Sequence, residues 1–141
     1  MTIDLTEFQP VLKKQQETLY ILDKIRYKYF VLTPEEWVRQ GIIYFLEKRG
    51  FPTNLMQIER GIDYPNRIKR PDIIVYDRAG KPFLLIECKA PYIALEADTW
   101  GQALAYNSIV QAPYTAITNG SVMFILELQT QKIVENLPTY S

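Results

Sequence analysis

The stretch that most constrains this chain runs from Pro71 to Ala90, P-D-I-I-V-Y-D-R-A-G-K-P-F-L-L-I-E-C-K-A. A β-branched run from Pro71 to Asp77 and an apolar run from Phe83 to Cys88 flank the turn residues Arg78 to Lys81, which include a glycine. That pattern predicts two strands of a hairpin. Asp72 opens the first strand, and Glu87 and Lys89 close the second. Strand side chains alternate with period two, so Glu87 and Lys89 share a face while Cys88 points the other way with Ile86 and Leu84.

The turn sets the position of Asp72. A four-residue loop from Arg78 to Lys81 opposes Asp77 to Pro82 and, counted back along both strands, Asp72 to Glu87. Directly opposed Cβ atoms lie about 4.5–5.5 Å apart. A three-residue turn with a bulge at Gly80 is the rival. It shifts the register by one residue and needs a second irregularity to bring the acids together. We expect the register that groups the charges. Two carboxylates held that close repel unless a proton or a cation sits between them, so neutralising either is expected to relax the metal-free protein. Oxygen-only ligation suits a hard ion such as Mg²⁺ or Mn²⁺. Lys89 beside such an ion could orient a water or stabilise a developing negative charge, the requirements of phosphodiester hydrolysis. The competing reading is a surface hairpin whose Glu87 and Lys89 form an ordinary ion pair.

Composition narrows the chemistry. The chain has no His and one Cys, which removes His-based zinc sites, Ser-His-Asp and Cys-His catalysis and any intrachain disulfide. With 141 residues, 48% hydrophobic and 23% charged, it is expected to form one globular domain over residues 1–141. Its formal net charge is zero, so any nucleic-acid contact must use a local basic patch rather than bulk charge. There is no signal-peptide pattern and no apolar run of membrane-spanning length, from which we expect a soluble cytoplasmic protein without a membrane partner. Gly80-Lys81 lacks the upstream glycine and following Ser/Thr of a phosphate loop, so no nucleotide and no ATP motor are expected.

Elsewhere, Thr33 to Arg49 is the clearest helix. Thr33 is a good N-cap, Pro34 fits the first helical position, and Glu36 completes a Thr-x-x-Glu capping box. Trp37, Val38, Gly41, Ile42, Phe45 and Leu46 make one apolar face, and Gly50 and Pro52 stop the helix. Met56, Ile58 and Ile62 alternate as in a half-buried strand, followed by a basic loop with Arg67, Lys69 and Arg70. After the hairpin, Leu95 to Gln111 has helical character with Trp100, Leu104 and Ile109 as core candidates, although Gly101 costs about 1 kcal/mol relative to Ala. Tyr114 to Thr118 and Val122 to Leu128 read as strands about an Asn119-Gly120 hairpin signal, with an edge over Lys132 to Asn136. Residues 1–32 fit neither period. We expect an extended or short-strand extension lying over the core, its basic residues forming a solvated rim or facing a partner.

Pro71-Asp72 followed by Glu87-Cys88-Lys89 resembles the PD-(D/E)xK, or restriction-endonuclease-like, nucleases. Gln102 and Tyr106, four residues apart and therefore on one helix face, follow that hairpin. With Leu32 to Gln40, Arg70 to Asp72, Glu87 to Pro91 and Thr118 to Gly120, they resemble the nuclease domain of type I restriction R subunits over about residues 20 to 128. The resemblance implies an α/β fold with a restriction-endonuclease-like core, a central mixed β-sheet flanked by helices in the order α-β-β-β-α-β-β. It implies Mg²⁺, for which Mn²⁺ can substitute, held by Asp72, Glu87 and the Cys88 backbone carbonyl, with Glu36 as an additional candidate. It implies Lys89 at the attacking water or scissile phosphate, and Gln102 and Tyr106 positioning the DNA backbone. Each assignment has a plainer competitor: Glu36 in its capping box, Gln102 capping Thr99, Tyr106 in the core. The function implied is a Mg²⁺-dependent DNA endonuclease, a stand-alone relative of the R-subunit domain working as a homodimer or with a separate motor or specificity subunit. The alternative is a catalytically inactive DNA-binding or assembly module on the same fold.

Overall fold

The computed structural model of the chain describes residues 1–58 and 72–140. Ile62, the basic loop with Arg67, Lys69 and Arg70, and Pro71 lie outside the described residues. Three short strands open the chain: β1 (Leu12–Gln15), β2 (Thr18–Asp23) and β3 (Lys28–Val31). They form an antiparallel meander, β1-β2-β3. The expected order began at the first helix and lacked this sheet.

Helix α1 (Pro34–Lys48) follows, with Thr33 as N-cap accepting from the Glu36 N–H at 3.0 Å. A 3₁₀ turn at Thr53–Leu55 leads into β4 (Met56–Ile58), and β5 (Ile73–Tyr76) and β6 (Pro82–Cys88) form the central hairpin. Then come α2 (Ala97–Val110), β7 (Tyr114–Thr118), β8 (Met123–Glu127) and β9 (Lys132–Val134). From α1 onward the elements follow the expected order, with β9 as the expected edge. Strands β4 to β9 lie in one sheet in sequence order, antiparallel except for the parallel β6–β7 pair that the α2 crossover requires.

The hairpin combines both expectations. The Asp77 N–H donates to the Lys81 carbonyl at 2.8 Å, so the loop is Arg78 to Gly80, with Gly80 at φ +83°. This is the three-residue turn, not the four-residue loop we expected. The second irregularity is present as well: Tyr76 pairs with Pro82, but Val75 pairs with Leu84, so Phe83 is bulged. The bulge restores the register, Ile73 pairs with Ile86, and one further step sets Asp72 opposite Glu87.

The six-stranded sheet divides two cores. On the α1 side Val38, Ile42, Phe45 and Leu46 pack with Ile73, Val75, Leu84, Ile86 and Cys88. On the α2 side Ala103, Tyr106 and Val110 pack with Ile74, Leu85 and Ile117. Leu104 and Ile109, expected in the core, are instead exposed, and Trp100 is only partly buried against it. The inner face of α2 is set by Asn107. Its amide donates to the Ala112 carbonyl at 3.0 Å and to Thr115 Oγ1 at 2.8 Å, and its Oδ1 accepts from the Ala112 N–H. Fixing Asn107 inward turns Ala103 to the sheet and Leu104 outward. Nothing lies within 4 Å of a side chain built on Gly101, so the helix needs no glycine there for space.

The first residues lie over the core, as expected, and are tied down by backbone hydrogen bonds. The Ile3 N–H donates to the Ser121 carbonyl and the Met123 N–H to the Met1 carbonyl, so the N-terminus pairs alongside the start of β8. Leu5 crosses α1 at Gly41, where an added Cβ would sit 2.7 Å from its Cδ1. Among the described residues, no helix is long and apolar enough to cross a membrane.

Candidate active site

The polar residues of the central hairpin meet at its open end. Asp72 immediately precedes β5, Glu87 is the penultimate residue of β6, and Lys89 follows β6. The parallel ladder carries on past the strand, with Cys88 paired to Thr118 and the Lys89 N–H donating to the Thr118 carbonyl at 2.8 Å. The backbone at Lys89 is therefore fixed from the side of β7. The hairpin signal at Asn119-Gly120 contributes too: Asn119 Oδ1 caps the Ser121 N–H, and its amide donates to the Ile93 carbonyl in the loop beyond Lys89.

Asp72 and Glu87 are both buried, yet their surroundings differ. Asp72 Oδ2 accepts the Cys88 backbone N–H at 2.8 Å. Asp72 Oδ1 accepts from Arg39 Nε at 3.1 Å and from Arg39 Nη2. A carboxylate offers about four lone-pair positions, and three are thereby taken. Glu87 has far less. Its Oε1 is buried with no hydrogen-bond partner among the described residues, and its Oε2 lies 3.9 Å from Lys89 Nζ. Burial first, and then Asp72 as a neighbouring charge and hydrogen-bond partner, push the Glu87 carboxyl up to about 9. At neutral pH Glu87 in the metal-free protein holds a proton beside the Asp72 carboxylate, the compromise two adjacent acids reach without a cation.

Lys89 Nζ donates to Gln102 Oε1 at 2.7 Å, which ties the end of β6 to α2. Glu96 is the residue preceding the helix and Thr99 lies inside it, so Gln102 serves Lys89 rather than a cap at Thr99. Tyr106, one turn on, is 3% exposed and belongs to the α2-side core. Cys88 packs in the α1-side core, with burial pushing its thiol well up from the ordinary range.

Glu36 is buried at the start of α1. Only half of the capping box forms. The Glu36 N–H reaches Thr33, but its carboxylate accepts from Arg39 Nη1 at 2.6 Å and from Gln40 Nε2 at 3.1 Å. As a further ligand it would have to give up those donors.

Sequence reading assigned no role to Arg39, whose guanidinium joins Glu36 to Asp72. Burial alone would lower its pKa, but the charges of Asp72 and Glu36 more than offset it. The signal was present: Arg39 sits three residues after Glu36 and three before Ile42, within the stripe α1 turns inward.

The donors fit a small hard divalent ion that keeps much of its water shell. Asp72 and Glu87 are oxygen donors on opposed strands, and Glu87 has a buried oxygen without a hydrogen-bond donor among the described residues. Among the described residues, no group of three His, Cys, Asp or Glu side chains is close enough to hold a metal by itself, so backbone carbonyl and water would have to complete the shell.

Residues 34–139 match the family described as type I restriction enzyme R protein N terminus. No curated protein matches the chain.

Proposed function

The chain belongs to the type I restriction enzyme R protein N-terminal family, and from that premise we propose that it is a Mg²⁺-dependent DNA endonuclease with a PD-(D/E)xK site on a restriction-endonuclease-like core. The observation that carries the reading is Glu87, a buried acid opposite Asp72 at the end of two paired strands, with one oxygen that has no partner among the described residues. A structural ion pair has no use for a second, proton-holding carboxyl there, whereas a divalent site needs one.

Asp72 and Glu87, with the Cys88 carbonyl, would hold the ion. Once bound, it supplies Lewis-acid stabilisation of the phosphate and lowers the pKa of water. Lys89, oriented by Gln102, places a positive charge beside the acids to orient water and balance charge developing on a phosphate oxygen. Gln102 holds Lys89 from α2, and Tyr106, one turn on, lies in the α2-side core. DNA is the substrate. A second copy or a separate motor or specificity subunit supplies what a neutral surface lacks in DNA affinity.

A second reading, a binding or assembly module without turnover, draws support from Arg39, which already gives Asp72 a cation. Nicking of supercoiled DNA separates the two. The nuclease reading expects cleavage with Mg²⁺ or Mn²⁺, none with EDTA, and loss in Glu87→Gln and Lys89→Ala. DNA binding without cleavage under all metal conditions would favour the module.

A further inference from the structure

The matched family segment begins at residue 34, so the β1–β3 meander lies outside it. An alternating series of charges nevertheless runs from that meander to the site. Asp23, fully buried at the end of β2, accepts from Arg26 Nε at 2.6 Å and from the N–H groups of Ile25 and Arg26. Arg26, stacked 3.8 Å over the Phe30 ring, reaches Glu36 Oε1 at 3.8 Å. The same Glu36 oxygen accepts from Arg39 Nη1, and Arg39 holds Asp72. Gln40 stitches the same elements together, donating to Glu36 Oε2 and accepting from the Lys24 N–H at 3.1 Å.

We propose that Arg39 is a positioning residue for Asp72, itself held by Glu36, which Arg26 also pairs, so that the N-terminal meander is built into the candidate site. Arg39 grips Asp72 Oδ1 with two nitrogens while the Cys88 N–H fixes Oδ2, which leaves the carboxylate one rotational setting relative to Glu87. A guanidinium does this and an ammonium does not, because the planar fork fixes direction as well as charge. The charge chain stands on contacts present in the metal-free protein. Its consequence for metal binding rests on the nuclease reading.

The test uses Arg26→Gln, Arg39→Lys and the double variant. Arg39→Lys keeps the charge and loses only the fork, and Arg26→Gln leaves Asp23 the N–H groups of residues 25 and 26, so both variants should fold. In metal-free thermal melts, the double variant should lose less than the sum of the two single losses, because both act through Glu36. Additive losses would overturn the chain. With Mn²⁺ followed by calorimetry, Arg39→Lys should bind roughly 10- to 100-fold more weakly, the range for a residue that orients a ligand. Its nicking should lose kcat with little change in KM for DNA. Unchanged or tighter Mn²⁺ binding in Arg39→Lys would overturn the positioning role. A wild type that ignores Mn²⁺ yet keeps the non-additive melts would sink the nuclease reading and leave the charge chain standing.

Discussion

The candidate site draws one wall from each side of the central sheet, and the two walls are built differently. On the α1 side Glu36 and Arg39 are buried and paired in series, and Arg39 reaches Asp72 at the start of β5, which shares its face with Glu87. On the α2 side the pairing is incomplete among the described residues: Glu87 has an oxygen without a partner, and Lys89 is held by a neutral amide with Glu87 3.9 Å away. The paired wall fixes where a ligand must sit. The under-paired wall is where a new charge gains most, because a buried acid short of donors is the group whose free energy a cation changes most.

This difference gives the two acids opposite metal-free behaviour, although sequence alone gave them the same expectation. Asp72→Asn leaves Arg39 facing a neutral group, and breaking a buried pair costs about 3–5 kcal/mol. Glu87→Gln removes a desolvated acid and should leave stability equal or higher. Chemical denaturation of both variants without metal measures the contrast, and equal losses would erase the distinction between the walls.

Next in size is the polar hub of the α2 side. Asn107→Ala strips partners from the Ala112 carbonyl and N–H and from Thr115, and should cost about 1–3 kcal/mol, although it shortens only a polar side chain. Leu104→Ala, a larger apolar deletion three residues away, should stay within about 0.5 kcal/mol because Leu104 is exposed. Melting curves of the pair test the assignment of the inner face of α2.

A pH series sharpens the comparison further. Glu87 titrates near 4.5 ordinarily and at about 9 in the folded protein. Between those values the native state binds more protons than the unfolded state, so this group's contribution falls as pH rises. It is complete below 4.5 and gone above about 9. Metal-free melting temperature should therefore decline from pH 5 to pH 9, and Glu87→Gln should remove that part of the decline. A slope unchanged in the variant would place the titration elsewhere. The smallest effect belongs to Cys88, whose buried, high-pKa thiol should react slowly with alkylating reagent in the native state and quickly once unfolded.

Legibility in the sequence followed local signals. α1 was readable because Thr33, Pro34 and Gly50 mark its ends and its apolar spacing is regular. α2 was only half readable: its extent was visible, but its buried face is chosen by hydrogen bonds from Asn107 that no hydropathy pattern encodes. The short strands of the N-terminal segment were readable but their pairing into a meander was not, because its hairpins turn on Gln16 at φ 57° and Tyr27 at φ 55°, left-handed positions where Gly or Asn would have signalled the turn. In the central hairpin the register at the acids was legible while the turn was not, because two irregularities cancel. Asp72, Glu87 and Lys89 were found by spacing and Gln102 by the family resemblance, and the four lie together at the end of the hairpin. Arg39 was missed because a buried arginine inside an apolar stripe reads as an exposed exception.

The most direct test of the central claim, that Asp72 and Glu87 form a divalent-ion pair, is thermal melting of wild type and Glu87→Gln with and without millimolar Mn²⁺. A ligand that binds only the folded state must raise the melting temperature. We expect a clear rise for wild type and little or none for Glu87→Gln, which should fold at least as well without metal. A wild type indifferent to Mn²⁺, or a Glu87→Gln variant that rises as much as wild type, would contradict the account.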